Sequence, residues 1–312
     1  MPADAAREAA RILTEVAGDR VRRNFPLAPL TSFRLGGPAA LYLEAGSQED
    51  LAALGRALDG TGLPMLVIGK GSNLLISDEG FPGIVVRLGK GFRWAAREEL
   101  RITAGGAMPL PAVANVALSH SLAGMEFGVA IPASLGGSVR MNAGAHHRSL
   151  DEVLASVEVY DTRVREPRVI PASEVGFSYR DSRLPERSIV IAATAELRLD
   201  DLAAIRARMD EARRWRRETQ PLAEPNCGSV FKNPAGDHAA RLIDLAGAKG
   251  LRLGGARVSE KHANFFIAGE GATASDVRAL IEEVRRRVHD AAGVWLEPEV
   301  HLVGSFDVEG AA

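Results

Sequence analysis

Residues 65–88 read MLVIGKGSNLLISDEGFPGIVVRL: a short apolar run, a glycine-punctuated polar loop, and a second apolar run. Short apolar runs bounded by turn signals read as buried strands, so MLVIG and the IVVRL at 84–88 are both strands. The loop between them, GKGSNLLISD at 69–78, offers successive main-chain N–H groups with little side-chain obstruction. Such a segment is either a tight turn or a cradle for phosphate oxygens. It is not a Walker loop, because Lys70 follows the first glycine and does not sit beside a distal glycine before a serine.

Working outward, residues 40–45 are a strand, and Ser47 or Gln48 opens a helix carrying Leu51, Leu54 and Leu58 that ends at Gly60 and Gly62. Residues 3–17 form an amphipathic helix with Ile12, Leu13 and Val16 on one stripe. Downstream, 100–104 is a strand and a helix runs from about residue 109 to 122. A second glycine-rich stretch follows, IPASLGGSVRMNAGA at 131–145, almost entirely small residues. It is either backbone that approaches a ligand closely or a close helix–sheet crossing. Strand signals return at 153–160, 168–170 and 189–199. The Arg-rich amphipathic helix at 201–217 reads as a connector between domains. Residues 239–246 are a helix, 265–268 a strand, and 274–291 a helix with Thr273 as N-cap and Asp276 three residues later. WLEPEVHLVG closes the chain as a strand. Strands are not regularly followed by long helices, so the fold class is α+β and not a doubly wound sheet. Neither glycine-rich loop is a G-x-G-x-x-G fingerprint.

The chain has 312 residues, 46% hydrophobic and 25% charged, a composition that excludes disordered, collagenous and disulfide-stapled classes. Lys plus Arg is 38 against 40 Asp plus Glu, so no basic surplus exists to grip nucleic acid or an anionic membrane surface. A lone cysteine, Cys227, forms no internal disulfide, and no apolar run is long enough to span a membrane. The N-terminus has no apolar signal core. These features predict a soluble cytoplasmic protein without membrane insertion. Aromatic content is 5%, so a flat ligand is held mainly by backbone, aliphatic and small residues. His146-His147 has no further ligand at metal-binding spacing, so no metal site is expected.

Six blocks, GKGSNLLISD, IPASLGGSVRMNAGA, GFSYRDSRL, NCGSVFKNP, SEKHANFFIAG and WLEPEVHLVG, stand in the order seen in UDP-N-acetylenolpyruvoylglucosamine reductases. Over residues 29–303 the chain resembles that family. The resemblance implies a two-subdomain FAD-binding module of the vanillyl-alcohol-oxidase (PCMH) type plus a C-terminal α+β substrate domain. Their expected limits are 1–88, 89–205 and 206–312, with the last strand packing back near the flavin. Strand 189–199 runs almost directly into helix 201–217 with no tyrosine-bearing insert, which resembles the family's shorter second subtype.

The implied reaction belongs to peptidoglycan precursor synthesis. NADPH reduces non-covalent FAD, which passes hydride from N5 to C3 of the enolpyruvyl ether of UDP-N-acetylglucosamine-enolpyruvate, yielding UDP-N-acetylmuramate. Negative charge develops at C2 and in the adjoining carboxylate, so a cation or strong donor and an acid are required. Arg180, in SYRDSR, matches the first role because a guanidinium stays charged and binds a carboxylate through two hydrogen bonds. Ser229, in CGSVFKNP, matches the proton donor, and Glu299 the catalytic carboxylate. Strand alternation sets Glu297 on the same face as Glu299, and Pro298 marks an edge strand. Outside the resemblance, Arg180 reads as a surface salt-bridge residue, Ser229 as a turn serine and the two carboxylates as solvated strand-end groups.

The implied cofactor contacts are Gly69, Lys70, Gly71, Ser72, Asn73 and Leu74 in the first loop. In the second they are Ile131, Pro132, Ala133, Ser134, Leu135, Gly136 and Gly137, with Met141, Asn142 and Gly144 beyond. Tyr179, Arg216, Lys232 and Asn233 are the implied substrate contacts, Arg216 toward the diphosphate. No nucleic acid or obligate protein partner is implied. Three positions depart from the family pattern: Ala133 for glycine, His146-His147 for Tyr-Gly, and Thr219 for lysine. Two other readings compete, a flavin-dependent oxidase of the same superfamily and a non-enzymatic nucleotide-sugar binding protein.

Overall fold

A computed structural model describes residues 3–306. The chain forms two compact units: one takes residues up to 23, 41–70 and 83–216, the other 24–40, 71–82 and 217 onward.

The first unit holds two hydrophobic cores. In one, helices α1 (Ala3–Ala17) and α2 (Gln48–Thr61) pack together over a sheet ordered Val21–Pro26, Pro38–Ala45, Phe81–Leu88, Met65–Val67. The last two strands run parallel, and Leu13, Leu43, Leu51, Leu54, Ile84 and Val86 fill the interior. Helix α2 begins where local chemistry dictates. Ser47 Oγ accepts from Asp50 N at 3.3 Å, and the Asp50 carboxylate accepts from Ser47 N at 3.0 Å and Gly46 N at 2.6 Å. That carboxylate, 1% exposed, is compensated by the Arg20 guanidinium, Nη2 to Oδ1 2.9 Å. The helix stops at Gly62, whose φ of +64° suits a residue without Cβ.

In the other core, helices α3 (Leu110–Ser119), α4 (Leu135–Arg140) and α5 (Leu202–Thr219) pack with a five-stranded antiparallel sheet. Its order is Glu166–Pro171, Leu154–Asp161, Ser188–Glu196, Arg101–Gly105, Ala95–Glu98. Helix α5 buries Ile205, Met209 and Ala212, the stripe expected of an amphipathic helix.

The second unit sets helices α6 (Ala239–Leu245) and α7 (Ala274–Ala292) in one core with a three-stranded antiparallel sheet, Arg252–Leu253, Ala256–Val258 and Phe266–Ala268. Helix α7 buries Val277, Leu280, Ile281, Val284 and Val288. Its start is capped twice: Thr273 and Asp276 form a reciprocal capping box, and the Asp78 carboxylate accepts from Ala274 N at 2.8 Å and Ser275 N at 3.0 Å. Leu74–Ile76 and His301–Val303 pair in parallel.

The α+β class stands. WLEPEVHLVG, however, is a strand only over His301–Val303. The stretch before it is irregular because Pro298 has no N–H to donate and because Glu299 N and Val300 N both donate to the carbonyl of Val230, at 2.7 and 3.3 Å. The strand expected over 189–199 is likewise two, Ser188–Glu196 and Arg198–Leu199.

Candidate active site

Among the described residues, the main-chain N–H groups of Lys70, Gly71, Ser72 and Asn73 make no hydrogen bond. Unpaired backbone donors seek a partner, and four in succession are the donor set a diphosphate requires. Gly71 fixes their course. Its φ is +59°, and a Cβ there would lie 2.1 Å from Leu30 O and 2.8 Å from Thr31 Cα. Gly69 is as confined, since a Cβ would meet Ser134 Oγ at 2.2 Å. Gly69 therefore abuts the start of the second glycine-rich stretch.

Ser134 caps α4, accepting from Gly137 N at 3.3 Å. Leu135 N and Gly136 N donate to Met108 O and Gly106 O, at 2.7 and 2.9 Å. A Cβ on Gly106 would sit 2.2 Å from Val190 O, and one on Gly136 3.0 Å from it. Part of the small-residue run thus serves a close helix–sheet crossing. The buried Ser138 hydroxyl on α4 has no partner among the described residues. Such orphans are rare in folded proteins, and a polar atom of a bound group satisfies them. The free N–H row fits the diphosphate of a cofactor.

Asn142 is buried at φ +40° with both ends of its side chain engaged: Nδ2 donates to Ser178 O at 3.0 Å and Oδ1 accepts from Asp151 N at 3.1 Å. Arg140, which the sequence did not single out, donates to the carbonyls of Leu184, Pro185 and Ser188. Burial pulls its guanidinium below the usual arginine range.

The Ser178 carbonyl held by Asn142 opens a tight turn, closed by Ser178 N to Asp181 O at 3.1 Å and Asp181 N to Ser178 O at 3.2 Å. Arg180 occupies its third position at φ +58°, a conformation normally left to glycine or asparagine. Strain of this kind persists where surrounding contacts enforce it. Its Nη2 donates to Gly144 O at 2.8 Å, and the guanidinium lies 5.4 Å from the Tyr179 ring centre. Arg216, on α5, is half-buried and its guanidinium is lowered by burial. His146 meets the neighbouring Trp215 ring edge-on at 5.1 Å.

In the second unit, Ser229 bridges Phe265, and its half-buried hydroxyl makes no hydrogen bond among the described residues. Asn264, buried, holds the segment: its Oδ1 accepts from Phe231 N at 2.9 Å, its Nδ2 donates to Phe231 O at 2.8 Å, and its carbonyl accepts from Val230 N. Glu299 is half-buried and donates its N–H to Val230 O. Burial first, and then the Glu299 charge, push the Cys227 thiol well above its ordinary value. Glu297 has different surroundings: its side chain is 70% exposed and bound to Lys232 Nζ at 2.7 Å. Asn233 Oδ1 accepts from Ala239 N at 3.0 Å, capping α6. Among the described residues no group of three metal-binding side chains exists, and no helix is long and apolar enough to cross a membrane.

Two family models match the chain, an FAD binding domain over residues 39–163 and the C-terminal domain of UDP-N-acetylenolpyruvoylglucosamine reductase over 220–303. The UDP-N-acetylenolpyruvoylglucosamine reductase of Heliobacterium modesticaldum is 44% identical over 89% of this chain and 89% of its own. That of Sphingopyxis alaskensis is 44% identical over 90% and 94%. The crystal structure of the enzyme from Thermus caldophilus superposes with a TM-score of 0.79 at 35% identity, covering 91% of this chain and 99% of that one. A variant of Phl p 4, described as a glucose oxidase, shares the fold alone, with a TM-score of 0.50 and 11% identity over 62% of this chain and 44% of its own.

Proposed function

This chain belongs to the UDP-N-acetylenolpyruvoylglucosamine reductase family, and from that premise we propose that it reduces the enolpyruvyl ether of UDP-N-acetylglucosamine-enolpyruvate to UDP-N-acetylmuramate in peptidoglycan synthesis, with NADPH as electron donor. It is an FAD-dependent oxidoreductase. When bound, FAD would supply the hydride-transfer chemistry that links NADPH to C3 of the ether.

The protein supplies the rest. The N–H row of Lys70–Asn73 would hold the cofactor's diphosphate. Arg180 keeps its charge and meets the substrate carboxylate, where the enolate develops. Ser229 delivers the proton to C2. A serine hydroxyl is a weak acid, so its proton moves only as negative charge accumulates at the acceptor carbon. Glu299 holds and polarises the enolate end. Tyr179, Arg216, Lys232 and Asn233 serve the nucleotide-sugar portion, Lys232 exchanging its Glu297 partner for phosphate. We divide the chain into two FAD-binding subdomains, 1–88 and 89–205, and a substrate domain, 206–312; the three hydrophobic cores mostly follow this division, while residues 24–40 and 71–82 group with 217 onward. The nucleotide-sugar chemistry supports a cytoplasmic enzyme.

One observation carries this reading. Ser229 has a hydroxyl that no described residue engages, and the next residue, Val230, receives the main-chain N–H of Glu299. The main chain of the carboxylate residue is thus tied by one hydrogen bond to the residue next to the proton donor. The test is an absorption spectrum of the purified protein: flavin bands that bleach with NADPH and return on adding the enolpyruvyl nucleotide sugar without oxygen support the reading. Bands that only oxygen restores favour the oxidase, and a protein that takes up no flavin favours the binding module.

A further inference from the structure

The first glycine-rich loop does more than present N–H groups. Asn73, the last residue of that row, turns its side chain toward the C-terminal segment 226 residues away, where Nδ2 donates to Glu299 O at 2.9 Å. Its own carbonyl accepts from His301 N at 3.0 Å. One residue thus grips the chain at 299 and again at 301, where the parallel pair of Leu74 with His301 begins. On its other side Glu299 is held by its N–H to Val230 O at 2.7 Å. Every atom in this chain of bonds lies in the same compact unit.

Resting on the functional reading above, we propose that Asn73 is a positioning residue for the second half of the reaction: its carboxamide sets the place of Glu299, and through Val230 that of Ser229, from the loop that receives the cofactor phosphates. Three observations lead there. The side chain commits one N–H of its carboxamide to the Glu299 carbonyl. The bond is made to a carbonyl, so only a donor at this position satisfies it. The segment it holds is otherwise irregular: Pro298 donates nothing, and two successive amides share one carbonyl. Without the carboxamide, the Glu299 carbonyl loses its bond to the loop while the Glu299 N–H stays on Val230 O, and the proton donor and carboxylate lose that reference to the loop.

The test uses full-length, flavin-loaded protein and three variants, Asn73→Ala, Asn73→Ser and Asn73→Asp, with rates taken per bound flavin so that misfolded chains do not count. Stopped-flow absorbance follows bleaching by NADPH and, separately, reoxidation by the enolpyruvyl nucleotide sugar. Misplacing a catalytic group by a fraction of an ångström to an ångström costs about 10- to 100-fold, so reoxidation falls by that factor while bleaching falls much less. Asn73→Asp is slower than Asn73→Ala, because it sets an acceptor against the Glu299 carbonyl. Amide hydrogen exchange at Glu299 and His301, measured without substrate, is faster in all three variants. Equal losses in both half-reactions, unchanged reoxidation, or loss of bound flavin from all three variants overturns the inference alone. A wild-type flavin that NADPH bleaches but the nucleotide sugar does not restore overturns the functional reading, and this inference with it.

Discussion

Replacing Gly71 by alanine tests whether the N–H row at 70–73 is the cofactor's phosphate site. Two costs are separable. The residue has φ +59°, which an L side chain adopts at a cost of roughly 1–2 kcal/mol. The new Cβ would also stand 2.1 Å from Leu30 O, so the loop must retreat by roughly 1 Å or more to reach ordinary contact. A hydrogen bond to phosphate lengthened by that amount is lost. Each such charge-assisted bond contributes about 1.5–3 kcal/mol, which translates into a dissociation constant for FAD raised about 10- to 100-fold. Titrating apoprotein with FAD and following flavin fluorescence measures this directly. Gly62→Ala is the control: Gly62 shares the left-handed conformation at +64° but a Cβ there meets nothing within 4 Å. That variant loses about 1 kcal/mol of stability through strain and binds FAD as the wild type does. If Gly71→Ala also binds FAD as tightly as wild type, the loop does not hold the diphosphate.

Two further outcomes are expected. Ser229→Ala removes a hydroxyl without a partner among the described residues, so urea unfolding shifts by no more than about 0.5 kcal/mol. Reoxidation of reduced flavin by substrate slows by roughly 10²- to 10⁴-fold, whereas parallel loss of both half-reactions contradicts the assigned role. The Cys227 thiol is raised in the folded state by burial and the Glu299 charge, from an ordinary value of 9.0. The unfolded chain therefore releases this proton at lower pH than the native one, and the thiol's contribution to stability falls as pH rises past 9.0. Cys227→Ala flattens that limb of the stability–pH curve, and an unchanged slope refutes the assignment.

Much of the local architecture was legible because the signals act over a few residues. Ser47 or Gln48, and Thr273 with Asp276, announced two helix starts, and Gly60 with Gly62 one helix end; the Asp50 half of the first capping box came from the structure. The first glycine-rich loop was open between turn and cradle; the structure gives a turn whose glycine cannot carry a Cβ and whose N–H groups make no hydrogen bond among the described residues, and the cradle remains our proposal. The long-range bonds were not legible. Asp78 capping α7 and Asn73 holding Glu299 join residues about two hundred positions apart, and neither polar side chain carries a periodicity that names its partner. Alternation set Glu297 and Glu299 on one face, yet Pro298 breaks the strand there, so Glu297 reaches Lys232 while Glu299 is half-buried. Asn142 and Arg140 show the same limit, since their small-residue setting suggested a ligand and their side chains serve the turn at 178–181 and the chain at 184–188.

The account stands most directly on where two hydrogens enter the product. With deuterated NADPH in ordinary water, followed by ordinary NADPH in deuterated water, proton NMR of the nucleotide sugar is expected to show the donor's deuterium on the C3 methyl and the solvent's at C2. A lactyl ether labelled the other way round, or no lactyl ether beside consumed oxygen, contradicts it.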